Sequence, residues 1–514
     1  MQELIELVRL INATKLKSTG LWSIILEPGS KMEQLFEAIQ QGQVSTDEEA
    51  SALLYDGQKS GSKFINLKER LKDRLLSVIF LLDFQQTTQS DRQKAHFECN
   101  KKWATASILM TKNAKKNGIG QMEEMLQQSV HFEFTELTLN ALSALRLHYG
   151  TIYGDTNRYN MYREMYRNYQ QVLLMENEAE DAYTHLISHY VNSKSTKLEI
   201  AKEAERQFKQ IKPYMDKCNS FRLHLCGRLI EVTIHSSRND YASTAQVCED
   251  AVAFFRSKDF ESSLPLQAFY YQLIVCYIQL REFDKGRAIM EQYQSLFEEG
   301  SFNWFKLQEL FFLLATYTKH YEEAWEVCER TLAKLKSSNL PPAIQEMWKI
   351  YEAYVYYLVL VGKIKHESAQ AAAAKFRVGK FLNDTPTYSK DKRGMNIPIL
   401  IIQILYSLLD RNYHQTIDRI DAIDKYVGRY LKQDDTFRSN CLIKLLMQIP
   451  AASFHREGVI RRSEKYIAQL NSKPVEVAYQ SHEVEIIPYE DLWEMTIDSL
   501  QNQLHQLGKK GRNK

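Results

Sequence analysis

Across residues 266–335 apolar side chains recur at steps of three and four. Leu266, Phe269, Tyr270, Leu273, Tyr277 and Leu280 fall on one stripe of a helix, which Arg281-Glu282 interrupts. A second stripe runs through Phe283, Gly286, Met290, Tyr293 and Phe297, so the spacing predicts a helix folded back antiparallel on the first. Glu299-Gly300-Ser301 closes this unit, with Gly300 suited to the left-handed conformation that ends a helix. The plan then repeats: Trp304, Leu307, Leu310, Phe311 and Leu314, a polar corner at Lys319-His320, and Tyr321, Ala324, Trp325, Cys328, Leu332 and Leu335.

The same alternation predicts further hairpins on both sides. The expected pairs are 134–149 with 157–175, 178–191 with 198–214, 221–235 with 241–255, and 344–361 with a helix through 371–374. Two more follow, 397–409 with 413–431 and 437–449 with 459–470. Tyr159, Leu198, Tyr241, Phe283 and Tyr321 open successive second helices at intervals of 39, 43, 42 and 38 residues. Tyr321 to Tyr413 is 92 residues, two steps of 46, which places an intermediate corner near Gly362-Lys363-Ile364. A repeat of drifting length, and not a strict consensus array, is expected.

The first part of the chain has another rhythm. Leu4, Leu7, Val8 and Ile11 predict a short amphipathic helix, and residues 21–26 fit either a brief strand or a buried linker. Ser30 with Glu33 and Thr46 with Glu49 read as capping boxes, in which each side chain satisfies the other residue's exposed amide at a helix start. A helix over 66–83, with Leu67, Leu71, Leu75, Val78, Ile79 and Leu82 inward, is expected to partner one over 93–111. A polar loop at 112–118 follows, and the domain boundary is expected there. The chain therefore divides into an N-terminal helical section at 1–118, hairpin repeats at 119–472 and a C-terminal part at 473–514. In that last part 475–479 and 484–487 alternate like short strands or extended segments, and a helix from Pro488 to Leu507 is expected to cap the last hairpin.

An aromatic opening the second helix with a small residue three positions later, Phe283 with Gly286 and Tyr321 with Ala324, resembles the tetratricopeptide repeat family, best over 266–335. Ile274 and Phe312 stand where that family has a small residue in its first helix, and its closing proline is missing. The resemblance is to the hairpin plan. It implies an all-α fold, a right-handed superhelical stack of antiparallel helix pairs, or α-solenoid. It also implies a protein or peptide partner held in the groove of the first helices, with Tyr271, Gln279, Glu309 and Tyr317 facing it.

Composition agrees with long helices and a packed core. The 514 residues include 19 Gly and 10 Pro, few breakers, against 29 Tyr, 23 Phe and 6 Trp to fill helix interfaces. A net charge of +2 supplies no global field for nucleic acid or an anionic membrane, and the basic tail at 509–514 reads as a solvated end. The start resembles no secretion signal, and no apolar run is long enough to span a bilayer: 397–409 contains Pro398, Gln403 and Ser407. Seven scattered cysteines fit reduced thiols and a cytoplasmic location.

Candidate chemistry is sparse. His185 and His189, four apart on a helix, supply two ligands where a metal site needs more. Cys218, His224 and Cys226 interleave with Leu223 and Leu225 and read as packing. Gly118-Ile119-Gly120 lacks the third glycine and the preceding strand of a dinucleotide loop, and no glycine-flanked serine nucleophile occurs. The carboxylate pairs Glu322-Glu323 and Asp434-Asp435 suit helix starts. Trp348, Tyr351, Tyr354, Tyr356 and Tyr357 cover more than one helix face, one of them core and another either core or contact surface. No cofactor or metal is expected. The pattern points to a non-catalytic protein- or peptide-binding scaffold. A ligand- or peptide-gated regulator with the N-terminal section as output module is one alternative, and an enzyme whose site leaves no local motif is another.

Overall fold

The computed structural model describes residues 1–12, 26–55, 61–81, 90–191, 195–335, 340–376, 379, 381, 396–430, 437–473 and 485–501. Among the described residues there are 22 α-helices and no strand. The expectations for 21–25, 475–484 and 502–514 lie outside the described residues. Contacts divide the chain into unit one, Met1–Glu178 with Lys258–Ser262, and unit two, Ala179–Ser257 with Ser263–Lys514.

Unit one begins with four helices, α1 (Gln2–Asn12), α2 (Lys31–Gln40), α3 (Asp47–Leu54) and α4 (Ser62–Ser77). They close over a core containing Val8, Ile11, Leu35, Phe36, Leu71 and Leu75. The capping box at Thr46 is complete: the Glu49 amide donates to the Thr46 hydroxyl at 3.2 Å and the Thr46 amide to the Glu49 carboxylate at 3.2 Å. At Ser30 only half forms, because the Glu33 carboxylate takes the Gly29 amide at 2.7 Å instead. Three more helices, α5 (Asp91–Thr111), α6 (Lys115–His131) and α7 (Thr135–His148), share a second core that includes Cys99, Ala106, Met122, Met125 and Leu142.

Two expectations are corrected here. Residues 115–118 are helix, so the loop after α5 shrinks to three residues. Gly118 is there for close approach, not for a turn: a Cβ on it would lie 2.9 Å from Met110 on α5. The helices expected at 157–175 and 178–191 are joined in α8 (Thr156–Leu186), 31 residues long. Nothing between them breaks a helix, since Glu176-Asn177-Glu178 contains neither Gly nor Pro. Glu176 is buried, with its carboxylate accepting the Thr135 hydroxyl at 2.9 Å.

Unit two continues in pairs. After α9 (Lys197–Met215) they are α10 (Phe221–Ser236) with α11 (Tyr241–Arg256), α12 (Ser263–Leu280) with α13 (Phe283–Tyr293), α14 (Phe302–Tyr317) with α15 (Tyr321–Leu335), and α16 (Pro342–Leu360) with the short α17 (Glu367–Ala373). Then come α18 (Asn396–Leu409) with α19 (Tyr413–Tyr430), α20 (Phe437–Ala451) with α21 (Arg456–Ser472), and α22 (Tyr489–Ser499). From α9 onward each helix packs on the next in sequence except α17 on α18, and α12 also packs on α14, as α16 does on α18. Where α13 crosses α14 the approach is so close that a Cβ on Gly286 would sit 2.5 Å from a methyl of Leu314.

One backbone device recurs at the corners. Gly42, Asn113, Glu133, Asn239, Arg281, Lys319, Gly362 and Arg411 all have positive φ, between 54° and 71° for most and 75° at Gly362. In each case the amide of the next residue donates to the carbonyl five positions back, as Glu282 does to Tyr277 and His320 to Ala315, both at 2.9 Å. This is the left-handed termination that satisfies the last free carbonyls of a helix and turns the chain at once. From Asn239 onward these corners are spaced 42, 38, 43 and 49 residues apart, and Gly362 lies where the intermediate corner was expected. Gly300 also has a positive φ of 87°, but it follows α13 after a further 3-10 turn and precedes Ser301, whose hydroxyl caps α14.

Among the described residues no helix is long and apolar enough to cross a membrane.

Candidate functional site: a basic seat carrying an acidic helix

The four residues predicted to face a partner are distributed between an open and a covered stretch. On α12, Tyr271 is 45% exposed and Gln279 is partly exposed. On α14, Glu309 is half-buried; it pairs with Lys306 at 2.7 Å and accepts the Tyr351 hydroxyl at 3.2 Å. Partial burial and then the Glu309 carboxylate raise the pKa of the Tyr271 phenol, so Tyr271 and Glu309 belong to one neighbourhood. Tyr317, at the end of α14, is only 1% exposed. Its hydroxyl donates to the backbone carbonyl of Glu485 at 2.7 Å.

Glu485 begins a segment that the rest of unit two encloses. Residues 485–501 contain Glu485, Glu490, Asp491, Glu494 and Asp498, and no basic residue. Pro488 precedes α22, a position where the missing amide costs no helical bond. The Glu485 carboxylate accepts the Tyr489 amide at 3.2 Å, adding a negative charge where the helix start favours one. Ile486, Ile487, Tyr489, Leu492, Trp493, Met495 and Ile497 are buried, leaving Glu494 and Asp498 on the outside.

The seat is basic and hydroxylic. Arg438 of α20 grips Glu485 with two bonds, Nε to Oε1 at 2.6 Å and Nη2 to Oε2 at 3.1 Å, and Nη2 reaches Glu490 at 2.8 Å. Its Nη1 donates to the carbonyls of Leu470 and Lys473 at 3.1 and 2.6 Å. Ser439 meets the Tyr489 hydroxyl at 2.9 Å. Lys319, the left-handed corner residue after α14, pairs with Asp491 at 3.0 Å and Glu494 at 3.7 Å. Arg456 of α21 pairs with Asp498 at 3.3 Å, and its backbone amide donates to the Gln501 carbonyl at 3.1 Å.

Charge state follows from this geometry. Burial alone would lower the Arg438 pKa, but the Glu485 and Glu490 carboxylates more than reverse it, so the guanidinium stays protonated. Burial raises the Glu485 pKa, and Arg438 opposes that rise. The Asp491 hydrogen bond is the main cause of a raised Lys319 pKa.

Of the remaining sequence candidates, His185 and His189 are exposed, while His224, Cys226 and the aromatic set serve packing. The His185 and His189 ring centroids are 4.7 Å apart; His185 lies 3.7 Å from Glu203, whose carboxylate is taken by Arg206 at 2.5 Å and Gln207 at 2.7 Å. Among the described residues no group of three or more His, Cys, Asp or Glu is placed to hold a metal. His224 stacks on Phe254 with centroids 4.1 Å apart, its Nε2 donating to the Cys218 carbonyl at 3.1 Å. Trp348, Tyr351, Tyr354, Tyr356 and Tyr357 are all buried, so both faces of that helix are core. Burial pushes the Cys99 thiol up to about 11 and Cys276 up to about 12, the reverse of an activated nucleophile.

Lys319, Arg438, Ser439 and Arg456 were not among the sequence candidates. The available signal was on the other partner, five acids without a base in 17 residues. Comparison with protein-family models, curated proteins and solved structures finds no match.

Proposed function

We propose that this chain is a non-catalytic scaffold that binds a protein or peptide on the first helices of unit two, arranged as a right-handed superhelical stack of the tetratricopeptide type. One observation carries the reading: Tyr317, a residue expected to face a partner, holds a main-chain carbonyl of a polypeptide segment laid against α14. A surface that accepts its own chain this way has the chemistry to accept another. Tyr271 and Gln279 lie on α12 and Glu309 on α14, which packs against it, and Tyr271 offers a large, half-exposed aromatic of the kind that anchors interfaces. The residues with strongly shifted proton affinity support packing, not turnover: buried thiols stay protonated, and the buried carboxylates of Glu203 and Glu485 are matched by arginines. The seven thiols suit a reducing cytoplasm. The near-zero net charge gives no reason to propose nucleic acid or a membrane as partner.

The triple substitution Tyr271→Ala, Gln279→Ala, Glu309→Gln tests this, the glutamine keeping an acceptor for the Tyr351 hydroxyl. It should lower capture of a partner in affinity purification by at least tenfold while shifting the melting temperature by no more than about 2 °C. Capture at wild-type level would remove this face as the binding site, and a large loss of melting temperature would assign these residues to the core.

A further inference from the structure

We propose that the seat formed by Tyr317, Lys319, Arg438 and Arg456 recognises an acidic helix of another protein, with residues 485–501 as its resident, displaceable occupant. The inference rests on reading these helices as a binding surface and names the partner's chemistry.

Two kinds of bond hold the resident. Tyr317 and the Arg456 amide reach the carbonyls of Glu485 and Gln501, which any sequence provides. Lys319, Arg438 and Arg456 meet only carboxylates along the segment, which few sequences provide at the right places. Main-chain bonds therefore set the path, and charge selects the sequence. A fitting partner carries a carboxylate just before its helix for Arg438, an aromatic four residues later beside Ser439, and carboxylates six, nine and thirteen residues on for Lys319 and Arg456.

The resident is not an optimal occupant. Asp491 is buried and its Oδ2 has no hydrogen-bond partner, although Oδ1 meets Lys319. A competitor whose own carboxylate opposite Lys319 had both oxygens satisfied would bind with less desolvation cost. The outer pairs are open to water: the side chains of Lys319, Glu494 and Asp498 are 52, 66 and 57% exposed, so each contributes little and is screened by salt. The resident also buries Ile486, Ile487, Tyr489, Leu492, Trp493, Met495 and Ile497, so a partner must bring a matching apolar face, and the tether raises the resident's local concentration and masks the seat. When it leaves, Arg438 is rehydrated and no charge stays buried without a counterion.

The test uses the full chain and a fluorescein-labelled synthetic peptide of residues 485–501. Glu490→Gln with Asp491→Asn weakens the resident and leaves the seat intact. This variant should bind the peptide at least tenfold more tightly than the wild type in anisotropy titrations, and adding Lys319→Glu should abolish the gain. Equal binding, or none, by a folded variant overturns the proposal, as does a variant that dimerises without binding peptide, because the occupant would then be a second copy. If the variant fails to fold, hydrogen exchange on the wild type decides: excess peptide should speed exchange of amides 489–499 at least tenfold, and unchanged rates overturn the proposal. Failure here leaves the Tyr271, Gln279 and Glu309 test untouched, so the two readings can fall separately.

Discussion

Arg438 is a residue whose value depends on its partners. Its side chain is 6% exposed and that of Glu485 2%, so neither charge has enough water to stand alone. Replacing Arg438 with Met keeps the volume of the stem but leaves the Glu485 carboxylate buried without its counterion. A loss of about 3–5 kcal/mol is expected in urea unfolding. Converting Glu485 to Gln in the same chain should restore most of that loss, since the two neutral groups no longer demand solvation. Equal losses in the single and double variants would mean that the guanidinium acts through Leu470 and Lys473 and not through charge.

At the scale of the element, the crossing of α13 and α14 gives the sharpest expectation. Gly286→Ala would place a methyl 2.5 Å from fully buried Leu314, and either the helix pair separates or Leu314 leaves its rotamer. The expected cost is about 1–3 kcal/mol in thermal or urea unfolding, although alanine is the better helix former. A stabilised variant would show that the approach is looser than this geometry. The start of α13 at Phe283 was legible in the sequence, from the break at Arg281-Glu282 and the apolar period that restarts after it, whereas its close crossing of α14 was not. The hairpins at 221–255 and 397–430 were legible for the same reason, their apolar period being unbroken and their corners polar. The fusion within α8 was not, since the apolar stripe changes face near Glu176 while the backbone continues. The corners were only partly legible. A left-handed residue is usually sought as glycine, whereas here Arg281, Lys319 and Arg411 adopt that conformation.

For the whole molecule, the candidate site shows where a single sequence stops. Tyr271, Gln279, Glu309 and Tyr317 were named from the resemblance to the tetratricopeptide hairpin, but a hairpin plan cannot say that a segment 168 residues further along would bond to Tyr317. Nor can it join Lys319 of one hairpin to Arg438 and Arg456 of others. Those convergences are set by the stacking of intervening pairs, which depends on the summed lengths of helices that vary from one pair to the next. The recurring corner has a mechanical consequence. Each one closes its own hairpin with a local bond, and the packing is chiefly between neighbours, so tension applied to the ends should open the array in instalments. In an optical trap unit two should lengthen in steps of about 130–170 Å, the extended length of the 38 to 49 residues between corners. A single rip releasing the whole unit would mean that the hairpins share load instead of carrying it one at a time.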